Sequence, residues 1–359
     1  MEFLDKHIDK NSTSVVYGLD ADLIMLSMIR KHTIYLLRER TEYNIEGLQD
    51  NYIYLNVTLL KEYRITSIKE HDAELQYKIT DENILNDYLF FCFLIGNDFI
   101  IPSPCNNLRY GGIDHLELAY RKLQKENFGT FYLIEDDYNI NMVNFCRFIK
   151  EIVKREKTII DASMKKRDTR EYHNRRRYSI YLQKIKCIED IKKYKYTDFI
   201  EQDEKTFTDF INFSPSIFRK HEDIIFKNEN YRDMYYTHNL YKTYNNDPSI
   251  RMLLEKDISK LCEDYLKAIQ WTFEYYFKGC PEWRWYYRHD LAPLMIDLHK
   301  YLEKSPEISF HKDIPYSPQE QLKIVLPHLE KNFMYPEDTP VYSFFKMYMW
   351  ECHAILPHL

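Results

Sequence analysis

One stretch limits what this chain can fold into more than any other. Val15-Val16-Tyr17-Gly18-Leu19-Asp20-Ala21-Asp22-Leu23-Ile24-Met25-Leu26 is a β-branched and aromatic run that stops at a glycine, meets two acids and turns apolar again. The pattern predicts a strand leaving a sheet and feeding a helix over Leu23–Arg30, with Asp20 and Asp22 at the strand's carboxyl end. Open α/β sheets place their ligands at that edge. In extended backbone, two acids two residues apart project to one side, where they can share a cation. The competing reading is that Asp20 or Asp22 only caps the helix.

A second stretch bears on that choice. Tyr88-Leu89-Phe90-Phe91-Cys92-Phe93-Leu94-Ile95 is an apolar helix running into Gly96-Asn97-Asp98-Phe99. A glycine there permits a sharp exit that leaves Asp98 presented at the helix end. At this separation "YGLDADLIML" and "FFCFLIGNDF" together closely resemble the Xrn family of 5′→3′ exoribonucleases. The resemblance implies that Asp20, Asp22 and Asp98 belong to a carboxylate cluster holding catalytic magnesium, with manganese as the alternative ion. It implies an α/β fold, a partial PIN/flap-nuclease-like sheet, followed by a mostly α-helical region.

Composition sets outer bounds. The 359 residues are 45% hydrophobic and 30% charged, within the range of soluble globular proteins, and long enough for one large or two ordinary domains. No apolar run reaches bilayer-crossing length, so no membrane partner is expected. Seven cysteines without a C-x-x-C pair read as thiols of a reducing compartment, which points to an intracellular and preferentially cytoplasmic protein. The thirteen histidines show no ligand spacing, and His353 and His358 read as exposed or packing imidazoles. A net charge of −6 means that any nucleic-acid contact comes from local patches.

Along the chain, Thr33–Arg38 predicts a second strand, Tyr52–Leu60 a further apolar run, and Lys69–Asp81 an exposed connection. Leu55-Asn56-Val57 and Leu60-Lys61-Glu62-Tyr63 resemble the family's "LnV…LkeY" segment. After Asp98, Asn107, Arg109 and Gly111-Gly112-Ile113-Asp114 keep to the family pattern, while Pro102 replaces a histidine. Arg109 has two readings, an approach to phosphate or pairing with a carboxylate of the cluster. From Asp114 the periodicity is helical over His115–Glu126, Asn141–Arg155 and Leu253–Phe277, which divides the chain into residues 1–115 and 116–359.

Two regions are candidates for RNA contact. Lys165, Lys166 and Arg167, with Arg170 and Arg175-Arg176-Arg177, form a basic cluster fit to track phosphates, although a charge run with interleaved acids is usually a solvated helix face. The stretch Tyr265–Pro293, "YLKAIQWTFEYYFKGCPEWRWYYRHDLAP", resembles the family pattern throughout, apart from Arg288-His289-Asp290-Leu291. Its aromatics, Trp283 and Trp285 among them, suit stacking on unpaired bases or burial in a core. Later matches are Ile314-Pro315-Tyr316-Ser317-Pro318, Val325-Leu326-Pro327, Trp350-Glu351 and Ile355-Leu356-Pro357.

The family's Gly-Glu-Gly-Glu-His-Lys motif, with two further ligands, and its 5′-phosphate pocket have no counterpart in this sequence. The expectation is therefore an incomplete magnesium site on the later half of the family's catalytic core. Hydrolysis of single-stranded RNA would then need a separate chain supplying the earlier half, and an apolar sheet face along Val15–Leu19 would be left exposed. The alternative is a degenerate, noncatalytic RNA-binding or scaffold protein.

Overall fold

The computed structural model describes residues 12–18, 20–40, 50–71, 74–177, 226, 229–237, 240, 248–289 and 291–325. The motifs from Leu326 onward, with His353 and His358, and most of Tyr194–Asp247 lie outside them.

Strand β1 (Thr13–Tyr17) feeds helix α1 (Asp22–Met28), which returns the chain to β2 (Thr33–Glu39) and then β3 (Tyr52–Asn56). β1 runs parallel to β2 and β2 antiparallel to β3, so these strands form a mixed sheet in the order β1-β2-β3. Its inner face brings Val16, Ile34, Leu36 and Leu55 onto Met28, Val57 and Leu89, a continuous apolar core. Side chains alternate across a sheet, so Val15, Tyr17, Tyr35, Leu37, Tyr52 and Tyr54 share the other face. There Val15, Tyr17, Tyr52 and Tyr54 are 54–61% exposed, so an apolar, tyrosine-rich face does stand open. Among the described residues β1 is paired on one side only.

Two boundaries are set by the structure. The apolar run over Tyr52–Leu60 holds two elements: the strand stops at Asn56, whose side-chain oxygen accepts the Leu59 N–H at 3.0 Å and starts α2 (Val57–Glu70). The helix after Asp20 begins at Asp22 and ends at Met28, shorter than Leu23–Arg30.

The C-terminal half of helix α3 (Asp81–Leu94) is apolar all round because it is surrounded, with Leu89, Phe90, Phe91, Phe93 and Leu94 buried. Thr80 and Asn83 cap its start reciprocally, each side chain accepting the other's backbone N–H at 3.1 Å. Short 3-10 turns at Pro104–Asn106 and Leu108–Tyr110 lead to α4 (Gly112–Glu126). There follow α5 (Met142–Val153), α6 (Glu156–Arg177), α7 (Tyr231–Tyr236), α8 (Pro248–Phe277), α9 (Met295–Leu302) and α10 (Pro318–Val325).

The chain divides into two compact units, each discontinuous in sequence. The first comprises Met1–Phe93, Asp114–Phe148 and Gln270–Pro281; the second comprises Leu94–Ile113, Ile149–Ile269 and Glu282–Leu359. Aromatic packing consolidates the first: Phe90 meets Phe145 and Phe273 edge-on at 5.3 and 6.0 Å, and Phe91 stacks on Phe148 at 5.5 Å. Each such pair adds about 0.5–1.5 kcal/mol beyond its buried area. In the second, the buried Glu156 accepts the Met295 and Ile296 N–H groups at 2.6 and 3.1 Å, capping α9 from the start of α6. Burial pushes the Glu156 carboxyl up to about 7, against the pull of those two donors.

Candidate functional site

The Asp20 turn lies at the carboxyl end of β1, in the first unit. Gly18 closes the strand, donating to the Leu37 carbonyl at 3.0 Å. Asp20 is exposed, and its Oδ1 accepts the Asp22 N–H at 3.1 Å. Neither sequence reading describes this geometry fully. The backbone between the acids is not extended: Ala21 is helical at φ −65° and ψ −28°, and Asp22 is the first residue of α1. Ala21, not an acid, occupies the N-cap position. The local hydrogen bond bends the chain within one residue of Asp20, as acids in turns commonly do. The outcome still holds two carboxylates on one tight turn, with Asp22 where the helix dipole favours negative charge.

Asp98 occupies a turn in the second unit. Gly96, at φ +97°, lets the chain leave α3, and the Asn97 N–H donates to the Ile100 carbonyl at 3.0 Å. The Asn97 side-chain oxygen accepts the Phe99 and Ile100 N–H groups, both at 2.9 Å. Asp98 is thereby held exposed at the tip while Ile100 is buried. Asn97 had not been singled out from sequence; its signal was an Asn-Asp pair directly after a helix-ending glycine. Among the described residues no group of three or more His, Cys, Asp or Glu side chains is placed to hold a metal ion.

The chain after Asp98 is compact because glycine permits it. A Cβ on Gly112 would lie 2.2 Å from the Asn106 carbonyl oxygen, and the Gly112 N–H donates to the Asn107 carbonyl at 2.9 Å. α6 packs on the neighbouring turn at 104–106. Lys165 and Lys166 are exposed on α6, with the Lys166 ammonium 3.5 Å from the Tyr110 carbonyl oxygen. The side chains of Arg109 and Arg167 lie outside the described part of the structure, as do those of Arg170 and Arg175-Arg176-Arg177.

The aromatic stretch divides between its two readings. Tyr265, Trp271 and Tyr276 are buried, and Trp271 stacks on Tyr275 at 5.1 Å. Trp283 is 51% exposed and Tyr286 is exposed too. Trp285 is half-buried beneath the Lys267 ammonium, 5.2 Å from its ring centroid. No helix among the described residues is long and apolar enough to cross a membrane, and Cys92, Cys105, Cys146, Cys262 and Cys280 are free thiols.

The comparison with known families agrees with the long helical region that follows the sheet. The profile described as "Xrn1 helical domain" fits residues 78–337, and that described as "XRN 5'-3' exonuclease N-terminus" fits residues 2–40. The first takes in well over half of the chain, which belongs to the Xrn family. It is similar to 5'-3' exoribonuclease 1 of Saccharomyces cerevisiae, at 24% identity over 95% of this chain and 28% of the yeast protein. It is equally similar to 5'-3' exoribonuclease 1 of Homo sapiens, 24% over 98% of the chain and 22% of that protein. Against 5'-3' exoribonuclease 2 of Arabidopsis thaliana it is 24% identical over 97% of the chain and 44% of the relative. The chain thus spans less than half the length of each of these relatives.

Proposed function

We propose that this chain carries the later part of the catalytic core of an Xrn-type 5′→3′ exoribonuclease acting on single-stranded RNA. Residues 1–115 carry part of a PIN/flap-nuclease-like sheet together with the acids, Asp20 and Asp22 at the end of β1 and Asp98 on the turn after α3, and residues 116–359 form the helical region. The observation that carries this reading is the pair of carboxylates on the Asp20 turn, at the end of β1 where α/β folds take their ligands, in a chain of this family. Carboxylate oxygens with no imidazole suit magnesium, or manganese in its place, which keeps several of its waters. Asp20, Asp22 and Asp98 are the proposed ligands on the family resemblance alone, since among the described residues no trio of acids is itself placed to hold a metal ion. Three acids are too few to fix the cation pair that in-line phosphodiester hydrolysis uses. Activity therefore depends on carboxylates from the rest of the family's catalytic region, whether in the same polypeptide or a separate one. Lys165 and Lys166 on α6, with Arg109 and Arg167, supply charge for the phosphate backbone, and Trp283 and Trp285 supply aromatic surface for bases.

The test is reconstitution. The chain alone, given 5′-monophosphorylated RNA and magnesium, should not degrade it processively. Supplied with the family's N-terminal catalytic region it should, and Asp20→Asn or Asp98→Asn should lower that rate by at least about 100-fold. Unchanged rates in both variants would remove these acids from the mechanism. The exposed Trp283 and the exposed lysines of α6 also favour a second reading, a noncatalytic RNA binder. Its mark is salt-dependent RNA affinity indifferent to magnesium, with no activity on reconstitution.

A further inference from the structure

Two segments of the second unit are stitched together just where Trp283 emerges. The Asp313 carboxylate accepts the Trp283 N–H through Oδ1 at 2.5 Å and the Arg284 N–H through Oδ2 at 3.0 Å. In return, Glu282 Oε2 accepts the His311 N–H at 3.3 Å and the Lys267 ammonium at 2.8 Å. The Arg284 guanidinium lies over the Tyr316 ring at 4.7 Å, and the Lys267 ammonium sits 5.2 Å from the Trp285 ring and 5.1 Å from that of Phe310. Phe310, His311, Asp313 and Tyr316 thus tie residues 310–316 to the segment 282–285 and to Lys267 beside it.

Of these contacts only those of Asp313 reach the backbone of Trp283. A carboxylate that holds two consecutive N–H groups fixes the peptide plane between them, and with it the direction in which the tryptophan side chain leaves the chain. The indole itself is 51% exposed and so open to a ligand. We propose that Asp313 is a positioning residue for RNA binding, one that pre-organises Trp283 as a stacking platform for an unpaired base. The proposal rests on the reading of Trp283 as an RNA contact. Asp313 lies 30 residues beyond Trp283, and no motif in the sequence drew attention to it. Its charge would repel phosphate if it faced the strand. Spent on two backbone donors, it serves a neighbouring ring instead.

Binding of the full chain to a fluorescent oligouridylate tests this, with an abasic ribose-phosphate oligomer of equal length as the control. Trp283→Ala and Asp313→Ala should each weaken oligouridylate binding roughly tenfold, as expected for one stacked base, and leave abasic binding unchanged. The double variant should bind no more weakly than Trp283→Ala alone, because both remove one interaction. Asp313→Asn keeps one acceptor, so a smaller loss is expected, and it serves should the alanine variant fail to fold. Loss of abasic and oligouridylate binding in parallel, or additive losses in the double variant, would overturn the positioning role. So would a weakened Trp283→Ala beside an unaltered Asp313→Ala, and that result leaves Trp283 as an RNA contact. If Trp283→Ala itself binds normally, the reading of Trp283 falls and takes the assignment of Asp313 with it.

Discussion

Asp87 is fully buried on α3, and one of its oxygens accepts both the Leu133 and Ile134 N–H groups, at 2.9 and 3.0 Å. Burial outweighs those donors and pushes its carboxyl up to about 7. The folded chain therefore binds a proton that the unfolded chain has already released. The stability this contributes is complete below the ordinary carboxylate range and is lost as pH rises through about 7. Glu156, also raised to about 7, acts in the same direction. Denaturant unfolding should show stability falling by on the order of 1 kcal/mol per pH unit over that interval. Asp87→Asn keeps the accepting oxygen and cannot titrate, so it should remove about half of that slope, leaving stability at acid pH little changed and raising it above that of the parent at pH 8. An unaltered slope would mean that Asp87 stays ionised in the folded chain. Residues of this kind were invisible in the sequence because their partners are remote, 46 positions on for Asp87 and 139 for Glu156. Asp20, Asp22 and Asp98 could be picked out because strand, glycine and acid follow one another directly.

Elements were legible where period and punctuation agreed. β1, β2, α4, α5 and α8 followed their patterns, and Gly96 ended α3 as a glycine at that place should. α2 was missed because one apolar run crosses from strand to helix at Asn56, with the switch made by a side-chain cap and no change in hydrophobicity. The turn after α3 can be tested directly. At φ +97° any Cβ is strained, and one on Gly96 would lie 2.6 Å from Pro102 Cδ, a ring atom that cannot swing aside. Gly96→Ala should destabilise the chain by about 1–3 kcal/mol in thermal or denaturant unfolding. In the reconstituted nuclease it should also lower the rate by more than the stability loss accounts for, since Asp98 stands two residues further on. A variant as stable and active as the parent would show that the turn tolerates another path.

At the scale of the whole molecule, both compact units draw on segments distant in sequence, and α5 and α8 each contribute residues to both. Such interleaving cannot be read from local pattern, which sees elements and not their partners. The outer face of the sheet has a practical consequence. Strand pairs that run parallel, as β1 and β2 do, are normally shielded by other layers on both sides. Here a row of tyrosines and a valine meets water beside a strand whose outer hydrogen-bonding groups are unclaimed among the described residues. Handled in isolation, the chain should prove sticky. Sedimentation at rising concentration should reveal reversible self-association that Val15→Lys, a charge placed on that rim, suppresses without altering the melting temperature appreciably. A species of constant mass across the concentration series would mean that the tyrosine hydroxyls alone keep this surface wetted.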